Sequence, residues 1–250
     1  MAAARFPGGG PVGWISAALV AAGLVGGGLL AGDGVARARL GDRYVTVKGV
    51  AEENVEADLA VWTLQFSAGG NDLAEVQRTL ARNLELTLTF LEGHGIPRSQ
   101  ARVQGMRVVD AVANPYQARP AASRFAVVRT VTVRSEDPRR VERASSDLGA
   151  LVEAGVVLVS GREYGPGGPT YVYRGLNGIK PEMIAAATAR AREAAREFAR
   201  DSGSRLGGIR RANQGVFVIL PRDPAPGVAE SNRIEKRVRV VTTVEYYLRD

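Results

Sequence analysis

Hydrophobic and polar residues alternate along several stretches of the chain, which is the pattern of half-buried β-strands. The clearest stretch is 55–67, where Ala60, Trp62, Leu64 and Phe66 share one face. Alternation or short apolar runs also predict strands at 44–50, 103–112, 124–134, 156–160, 170–174, 209–220 and 233–248. Because 44–50 and 55–67 are close in sequence, we expect them to form a hairpin.

Three other stretches repeat apolar residues every three or four positions, as amphipathic helices do. The first begins at the N-cap Asn71 and stops at Gly93 and Gly95, and the second begins at Asp137 and stops at Gly155. The third runs from about 181 to 201, before Gly203. Its apolar positions are mostly small: Ile184, Ala187, Ala191, Ala194, Ala195 and Phe198. Strands come in pairs with helices between only some of them, so we predict an α+β fold of largely antiparallel sheets with about three packed helices.

The N-terminal region carries a membrane signal, because no charged residue occurs from Phe6 to Gly32. We divide it into a tail (1–10), a transmembrane anchor or signal segment (11–32) and a tether (33–42). The apolar core is long for a cleaved signal and favours a retained transmembrane helix, with cleavage as the alternative. The candidate membrane-anchor residues are Trp14, Leu19, Val20, Leu24, Val25, Leu29 and Leu30. Glycines with the spacing of closely packed spanning helices are Gly23, Gly27, Gly28 and Gly32.

Composition excludes several classes of site. The chain has no cysteine, which rules out disulfides, cysteine-ligated zinc and thiol nucleophiles. It has a single histidine. His94 is predicted to lie at a helix C-terminus rather than at a catalytic site. The net charge is +7, so an arginine-rich surface that binds an acidic ligand is an alternative function. Aromatic residues do not interleave with the basic ones, and we expect no nucleic-acid partner.

No motif in the chain predicts catalysis. Gly165–Pro169 is glycine-rich but lacks the Lys and hydroxyl residue of a phosphate-binding loop. The acidic residues Glu52, Glu53 and Asp58 lie near strand ends, where carboxylates are ordinarily solvated. An enzyme that depends on these carboxylates stays an alternative. We predict no catalytic, cofactor-binding or metal-binding residues.

Several segments, in order, resemble the SIMPL-domain family of bacterial cell-envelope proteins. They are VTVKGVAEENVEADLAVWTLQF, LEGHGIPRSQARVQGMRV, ATARAREAAREFARDSGSRLGGIRRANQGVFVI and the terminal VRVVTTVEYYL. The positions that match the family pattern are Gly49, Glu52 or Glu53, Val55, Asp58 to Ala60, and Gly95, Ile96 and Pro97. The resemblance covers about Tyr44 to Leu248.

This resemblance implies an exported or envelope-anchored protein that self-associates, in some members into ring-like or channel-like assemblies, with a loose link to stress tolerance. It carries over no catalytic residue. We therefore expect a non-enzymatic, single-pass inner-membrane protein whose SIMPL-like domain (43–250) lies in the periplasm and forms homo-oligomers. The alternative location is a cleaved, soluble periplasmic domain. This domain could contain two β-rich subunits with a break near 115–123.

Overall fold

The computed structural model describes residues 18–29, 32, 43–113, 123–159 and 168–249. These residues form five α-helices and nine β-strands. The helices are α1 (18–29), α2 (Leu73–Gly93), α3 (Pro138–Ser146), α4 (Gly149–Glu153) and α5 (Leu176–Asp201). The strands are β1 (Tyr44–Glu56), β2 (Leu59–Gly70), β3 (Ala101–Asp110), β4 (Phe125–Ser135), β5 (Val157–Leu158), β6 (Thr170–Val172), β7 (Arg205–Gln214), β8 (Val218–Pro221) and β9 (Glu235–Arg249).

The predicted α+β class with antiparallel sheets is confirmed. Besides α1, which lies in the predicted N-terminal segment, the described residues form four α-helices rather than about three. One predicted helix is divided at Asp147, whose amide donates to the Ala144 carbonyl as α3 ends. Helix α5 begins at Leu176 and continues through Pro181, earlier than expected. None of the helices in the described part of the chain combines the length and apolar character that crossing a membrane requires.

Glycine ends three of these helices in the same way, as the sequence predicts. Gly95, Gly155 and Gly203 follow α2, α4 and α5 with φ of +78°, +86° and +68°. After α2, the Gly95 amide donates to the Glu92 carbonyl and the Ile96 amide to the Leu91 carbonyl, both at 2.9 Å. This pair of hydrogen bonds is a Schellman motif, which needs a left-handed residue that glycine adopts without strain.

The start of α2 differs from the prediction by one residue. Asp72, not Asn71, is the N-cap, and its Oδ1 accepts from the Ala74 amide at 2.7 Å. Asn71 instead accepts from the Arg124 amide at 2.9 Å. A carboxylate satisfies the free amides of the first turn and favours the positive end of the helix dipole.

A five-stranded antiparallel sheet has the order β3-β4-β2-β5, and β6 also pairs with β2. The longest pairing joins β2 to β4, from Ala60 opposite Ser135 to Gly70 opposite Phe125. The face with the even-numbered residues of β2 packs against α2 and forms the main core. The core includes Trp62, Leu64, Phe66, Val127, Val131 and Val133 from the sheet and Val76, Leu80 and Leu91 from α2.

The second sheet has the order β1-β9-β7, and β8 pairs with β9. The expected hairpin between the first two strands is therefore wrong, because β1 and β2 belong to different sheets. Between them, the Ala57 amide donates to the Ile234 carbonyl and the Asp58 amide to the Val172 carbonyl. The predicted strand 209–220 is also interrupted, at 215–217, and becomes β7 and β8.

The described residues divide into two compact units. The first contains those up to Val50, Ala187–Gly215 and the C-terminal residues from Thr242, and the second contains Ala51–Ala186 and Val216–Val241. The core of the first unit comprises Val45, Ala191, Ala195, Val244 and Tyr246. The predicted tail 1–10, the tether 33–42, the start of the glycine-rich loop and nearly all of the predicted break near 115–123 lie outside the described residues.

Candidate functional site: the edge strand β3

Strand β3 stands at one end of the five-stranded sheet, and in the described part of the chain it pairs with β4 alone. One side of its backbone therefore lacks a neighbouring strand there. Its ten residues are exposed or half-buried along the whole length. Such an edge presents amide and carbonyl groups that can pair with another strand.

Three large apolar side chains follow one face of β3. Val103 lies opposite Val131, and Val108 lies opposite Val127. Residues directly opposite in an antiparallel pair share a face. The two partners on β4 are fully buried, yet Val103, Met106 and Val108 are 39%, 42% and 44% exposed. The apolar layer of the sheet therefore extends to an edge that the core does not cover.

A β-bulge interrupts β3 between Val103 and Met106. The bulge includes Gly105. Glycine is common at bulges because it has no side chain to pack. Beside it is an open cleft of about 420 Å³, lined by polar groups that include Gln65, Arg107 and Thr130. The bulge separates the strand into a short first part and a regular second part, from Met106 to Asp110.

The C-terminal end of β3 is held by an ion pair. Arg124 Nη2 lies 3.2 Å from Asp110 Oδ2, and the Arg124 guanidinium stands 4.8 Å from the centre of the Phe125 ring. The hydrogen bond from Arg124 is the main reason that the pKa of Asp110 is lowered. The carboxylate is therefore ionised at neutral pH, and its charge is paired with that of Arg124.

The edge strand β7 in the other sheet has a different character. Its pairing with β9 shifts between Leu206 and Ile209 and again between Ile209 and Arg211. Ile209 is its single large apolar side chain above one-third exposure. Arg210 stands 4.0 Å from the centre of the Tyr44 ring. Bulges and charged residues, which discourage edge-to-edge pairing, occur on both edge strands, and β7 has the greater number of register shifts.

The predicted carboxylates do not assemble into a reactive site. Glu52 faces Arg237 Nη1 at 3.7 Å and Arg239 Nε at 3.5 Å. Asp58 accepts from the Arg174 amide and Nε, both at 3.1 Å. Each acid is thus engaged by different arginines, while Glu53 is half-buried on β1. Among the described residues no group of three histidine or acidic side chains could hold a metal ion.

Some of the basic surface is neutralised within the chain. Arg139 Nη2 lies 2.8 Å from Glu56 Oε1 and 3.0 Å from Glu235 Oε1. These hydrogen bonds, above all the one with Glu56, raise the pKa of Arg139. On α5, Arg200 pairs with Glu197 at 2.5 Å, as their three-residue spacing predicts. Part of the net positive charge is therefore already paired with acidic side chains.

The described anchor residues lie on α1 with their side chains exposed. Leu19, Val20, Leu24, Val25 and Leu29 are between 62% and 73% exposed. Trp14 and Leu30 lie outside the described residues. A Cβ atom built on any of the four candidate packing glycines would find no neighbour within 4 Å: Gly23, Gly27, Gly28 and Gly32.

The comparisons with known proteins give the family. A family model described as SIMPL, a protein of unknown function (DUF541), matches residues 45–246. The chain belongs to the SIMPL family. The match spans both compact units, from the start of β1 to near the end of β9. The family expected from the sequence is thereby confirmed. No curated protein matches the chain.

Two solved structures show weak similarity to this SIMPL protein. An uncharacterized conserved protein from Listeria innocua is 14% identical and has a TM-score of 0.20, over 76% of this chain and 91% of its own. An unknown protein from Galdieria sulphuraria is 13% identical and has a TM-score of 0.17, over 78% of this chain and 84% of its own. TM-scores this low do not indicate a shared fold.

The motif residues of the SIMPL domain have structural roles here. Gly95 is the left-handed residue after α2, and its carbonyl accepts from Arg140 Nη1 at 2.9 Å. Ile96 is fully buried in the main core. Gly49 on β1 lies directly against the backbone of α5 at Ala187 and Ala191. The sequence therefore identified these positions through the family pattern, whereas it gave no signal that β3 is an edge strand.

Proposed function

We propose that this SIMPL protein is a non-enzymatic component of the bacterial cell envelope that assembles into a homo-oligomer and supports envelope integrity or stress tolerance. In this proposal residues 11–32 anchor it in the inner membrane, and the SIMPL domain lies in the periplasm. The observation that carries the self-assembly is the exposed edge strand β3 with its uncovered apolar face.

The anchor part rests on the sequence and on α1. Residues 6–32 carry no charge, and five of the anchor side chains are largely exposed along α1. Apolar side chains without a protein partner are stable when lipid surrounds them. Extraction of membranes at alkaline pH tests whether the chain is anchored. In a separate sample, protease treatment of intact spheroplasts tests on which side of the membrane the SIMPL domain lies. The proposal expects the chain in the membrane pellet with the SIMPL domain degraded; a chain in the soluble fraction supports a cleaved domain instead.

The non-enzymatic part rests on how the acidic side chains are used. Glu52 and Asp58 each take part in ion pairs with arginines, and such contacts are typical of structural surfaces. A general acid or base needs a carboxylate that can reach a substrate and change its protonation. An envelope assay that detects a reaction lost in the Glu52→Gln and Asp58→Asn variants would overturn this part.

Self-assembly is tested by sedimentation of the full chain in mild detergent over roughly a hundredfold range of concentration. The proposal expects a species with a defined multiple of the 26.5 kDa chain mass. A variant with Gly23 and Gly27 both changed to leucine is the control for association through the anchor. If that variant becomes monomeric while the native chain does not, the anchor and not the SIMPL domain holds the copies together.

A further inference from the structure

We infer that the outer face of the second sheet, in the first compact unit, lies against the anionic phospholipid headgroups of the membrane that the N-terminal segment enters. The inference rests on the anchor proposed above and names a second membrane contact, made by the folded domain. The side chains of this face alternate along the strands with those that pack against α5. We call them the basic face: Tyr44, Lys48, Arg205, Arg210, Tyr247 and Arg249.

The buried side chains show which side of the sheet is the outer one. Val45 on β1 and Tyr246 on β9 are buried in a cluster with alanines of α5. Successive side chains of a strand point to opposite faces. Their neighbours Tyr44 and Tyr247 therefore point away from α5, and these are 44% and 38% exposed.

The positive charge of the chain is concentrated in this unit. Its described residues include ten basic and four acidic ones, whereas those of the second unit include eighteen of each. Within the first unit, α5 contributes four basic and three acidic residues. The strands, together with Arg43, contribute six basic residues and one acidic residue, Glu245. The excess charge therefore lies on the sheet and not on the helix.

Two arginines face each other at one end of this sheet. Arg205 on β7 is directly opposite Arg249 on β9, and both are exposed. Leu206 and Leu248, the next pair, pack against the core, so the two arginines point outwards. Neither arginine forms an ion pair with a residue that the structure describes. Like charges opposite each other destabilise a sheet, and an anion bound between them would remove that repulsion.

The N-terminal segment joins the sheet at the same end. The Leu248 amide donates to the Arg43 carbonyl at 2.8 Å, and Arg43 Nη2 donates to Ser204 Oγ at 3.4 Å. The tether 33–42 alone separates Arg43 from Gly32 in the sequence. Because an extended chain advances at most about 3.6 Å per residue, this end of the sheet lies within about 40 Å of Gly32. The basic face is thus within reach of a membrane that contains the segment.

The two tyrosines favour a lipid surface as the partner. Tyrosine combines an apolar ring with a polar hydroxyl group and is enriched at the level of lipid headgroups. Tyr44 and Tyr247 lie among the basic residues, and the Arg210 guanidinium stands 4.0 Å from the centre of the Tyr44 ring. Basic residues near an anionic lipid surface are attracted to it. The basic face therefore offers both kinds of side chain that a headgroup layer binds.

Contact with headgroups can be measured on the full chain in vesicles, because any introduced cysteine is unique. Thr46→Cys, on the exposed side of β1, and Ala194→Cys, on the exposed side of α5, each carry a fluorescent dye. The vesicles contain phosphatidylcholine alone or mixed with phosphatidylglycerol. Both also contain a lipid with a spin-labelled headgroup, which quenches the dye only at near contact.

We expect quenching at position 46 to be several times stronger in the anionic vesicles, and to be lost when salt rises from about 0.1 M to about 0.5 M. The dye at position 194 should be quenched weakly and equally in both. Equal quenching at position 46 in the two vesicle types would overturn the inference, although a chain that floats with both remains anchored. A chain that floats with neither overturns the anchor and the inference together.

Paired variants test whether the basic face itself makes the contact. Arg205→Gln with Arg249→Gln removes the opposed pair, and Arg192→Gln with Arg196→Gln on α5 lowers the charge of the same unit equally. In anionic vesicles we expect the ratio of quenched to unquenched dye at position 46 to fall at least about tenfold in the first variant. The second variant should behave as the native chain does. Equal effects would show that net charge, and not this face, determines the contact.

A charge-retaining variant separates membrane contact from folding. Arg205→Lys with Arg249→Lys should be quenched as the native chain is, because attraction to a lipid surface needs charge and not guanidinium geometry. Loss of quenching in this variant would overturn the inference. An acidic polypeptide is the competing partner, and polyglutamate is its probe. If the glutamine pair is quenched normally but no longer binds polyglutamate, the face binds acidic polypeptides and the membrane contact is overturned.

Discussion

Gly49 on β1 and Ala187 on α5 approach so closely that no side chain fits between them. A Cβ atom on Gly49 would lie 1.8 Å from the Ala187 carbonyl oxygen and 2.6 Å from the Ala191 amide nitrogen. Both contacts are with helix backbone, which cannot move aside as a flexible side chain does. The glycine of the family pattern is therefore required by the packing of a helix on a strand.

Replacing Gly49 should severely destabilise the fold. We expect Gly49→Ala to lose about 3 kcal/mol or more in free energy of unfolding, because the methyl group forces α5 away from β1. Urea denaturation followed by circular dichroism measures the loss. Gly178→Ala on α5 is the control, since nothing lies within 4 Å of the added atom, and it should change stability by less than about 1 kcal/mol. Equal effects of the two variants would contradict the packing described here.

The small residues of α5 lead to a second prediction. Ala195 is fully buried, whereas its neighbour Ala194 is exposed. We expect Ala195→Leu to lose about 1–3 kcal/mol by overpacking, and Ala194→Leu to be nearly neutral. Thermal melting of the two variants side by side distinguishes them. A lower midpoint for the Ala194 variant would mean that the helix presents a different face to the core.

We expect the folded chain to lose stability at alkaline pH because of Tyr171. Burial, helped by the nearby Glu142 carboxylate, raises the pKa of Tyr171 to about 12. The folded chain thus holds this proton more tightly than the unfolded one, whose tyrosine titrates near pH 10. The stabilisation is complete below about pH 10 and is lost as pH rises towards 12.

Tyr171→Phe removes this titration and keeps the ring. Between about pH 9 and pH 12, we expect the native chain to lose on the order of 2 kcal/mol more than the variant. Urea denaturation at several pH values measures both curves. Parallel curves would show that Tyr171 is not responsible for the alkaline loss.

An ion pair between a buried lysine and a half-buried glutamate gives the fourth prediction. The Lys236 side chain is fully buried, and its Nζ donates to the Glu230 carbonyl at 2.8 Å and to Glu230 Oε1. We expect Glu230→Ala to lose about 1–3 kcal/mol, because the buried ammonium loses its carboxylate and keeps only the Glu230 carbonyl as a partner. Lys236→Met keeps the volume and removes the charge, so it should cost clearly less. Chemical denaturation of both variants tests the order, and the reverse order would contradict it.

The sequence predicts the parts of the fold that local physics decides. Alternation along 55–67 identified the buried face of β2, since successive side chains of a strand point to opposite faces. Glycine identified the ends of α2, α4 and α5, because a left-handed residue is needed there. The matched motifs also identified the family.

The sequence does not predict which strands lie beside one another in the sheets. Alternation shows which face of a strand is apolar but not which strand lies beside it. The edge position of β3 therefore could not be predicted, and the expected hairpin between β1 and β2 is wrong. The apolar positions Ala194 and Phe198 were assigned to the packed face of α5, yet both are exposed. The packed stripe is Ala187, Ala191, Ala195 and Ala199, at a strict four-residue spacing that the alanine-rich sequence did not distinguish.

The most direct test of the account is the molar mass of the full chain in mild detergent, measured by light scattering with the N-terminus sequenced from the same sample. We expect a defined multiple of 26.5 kDa, retained on dilution, with Met1 or Ala2 at the N-terminus. A mass of 26.5 kDa at every concentration would contradict self-assembly through the SIMPL domain. An N-terminus near Arg39 would contradict the retained anchor and show that the domain is released by cleavage.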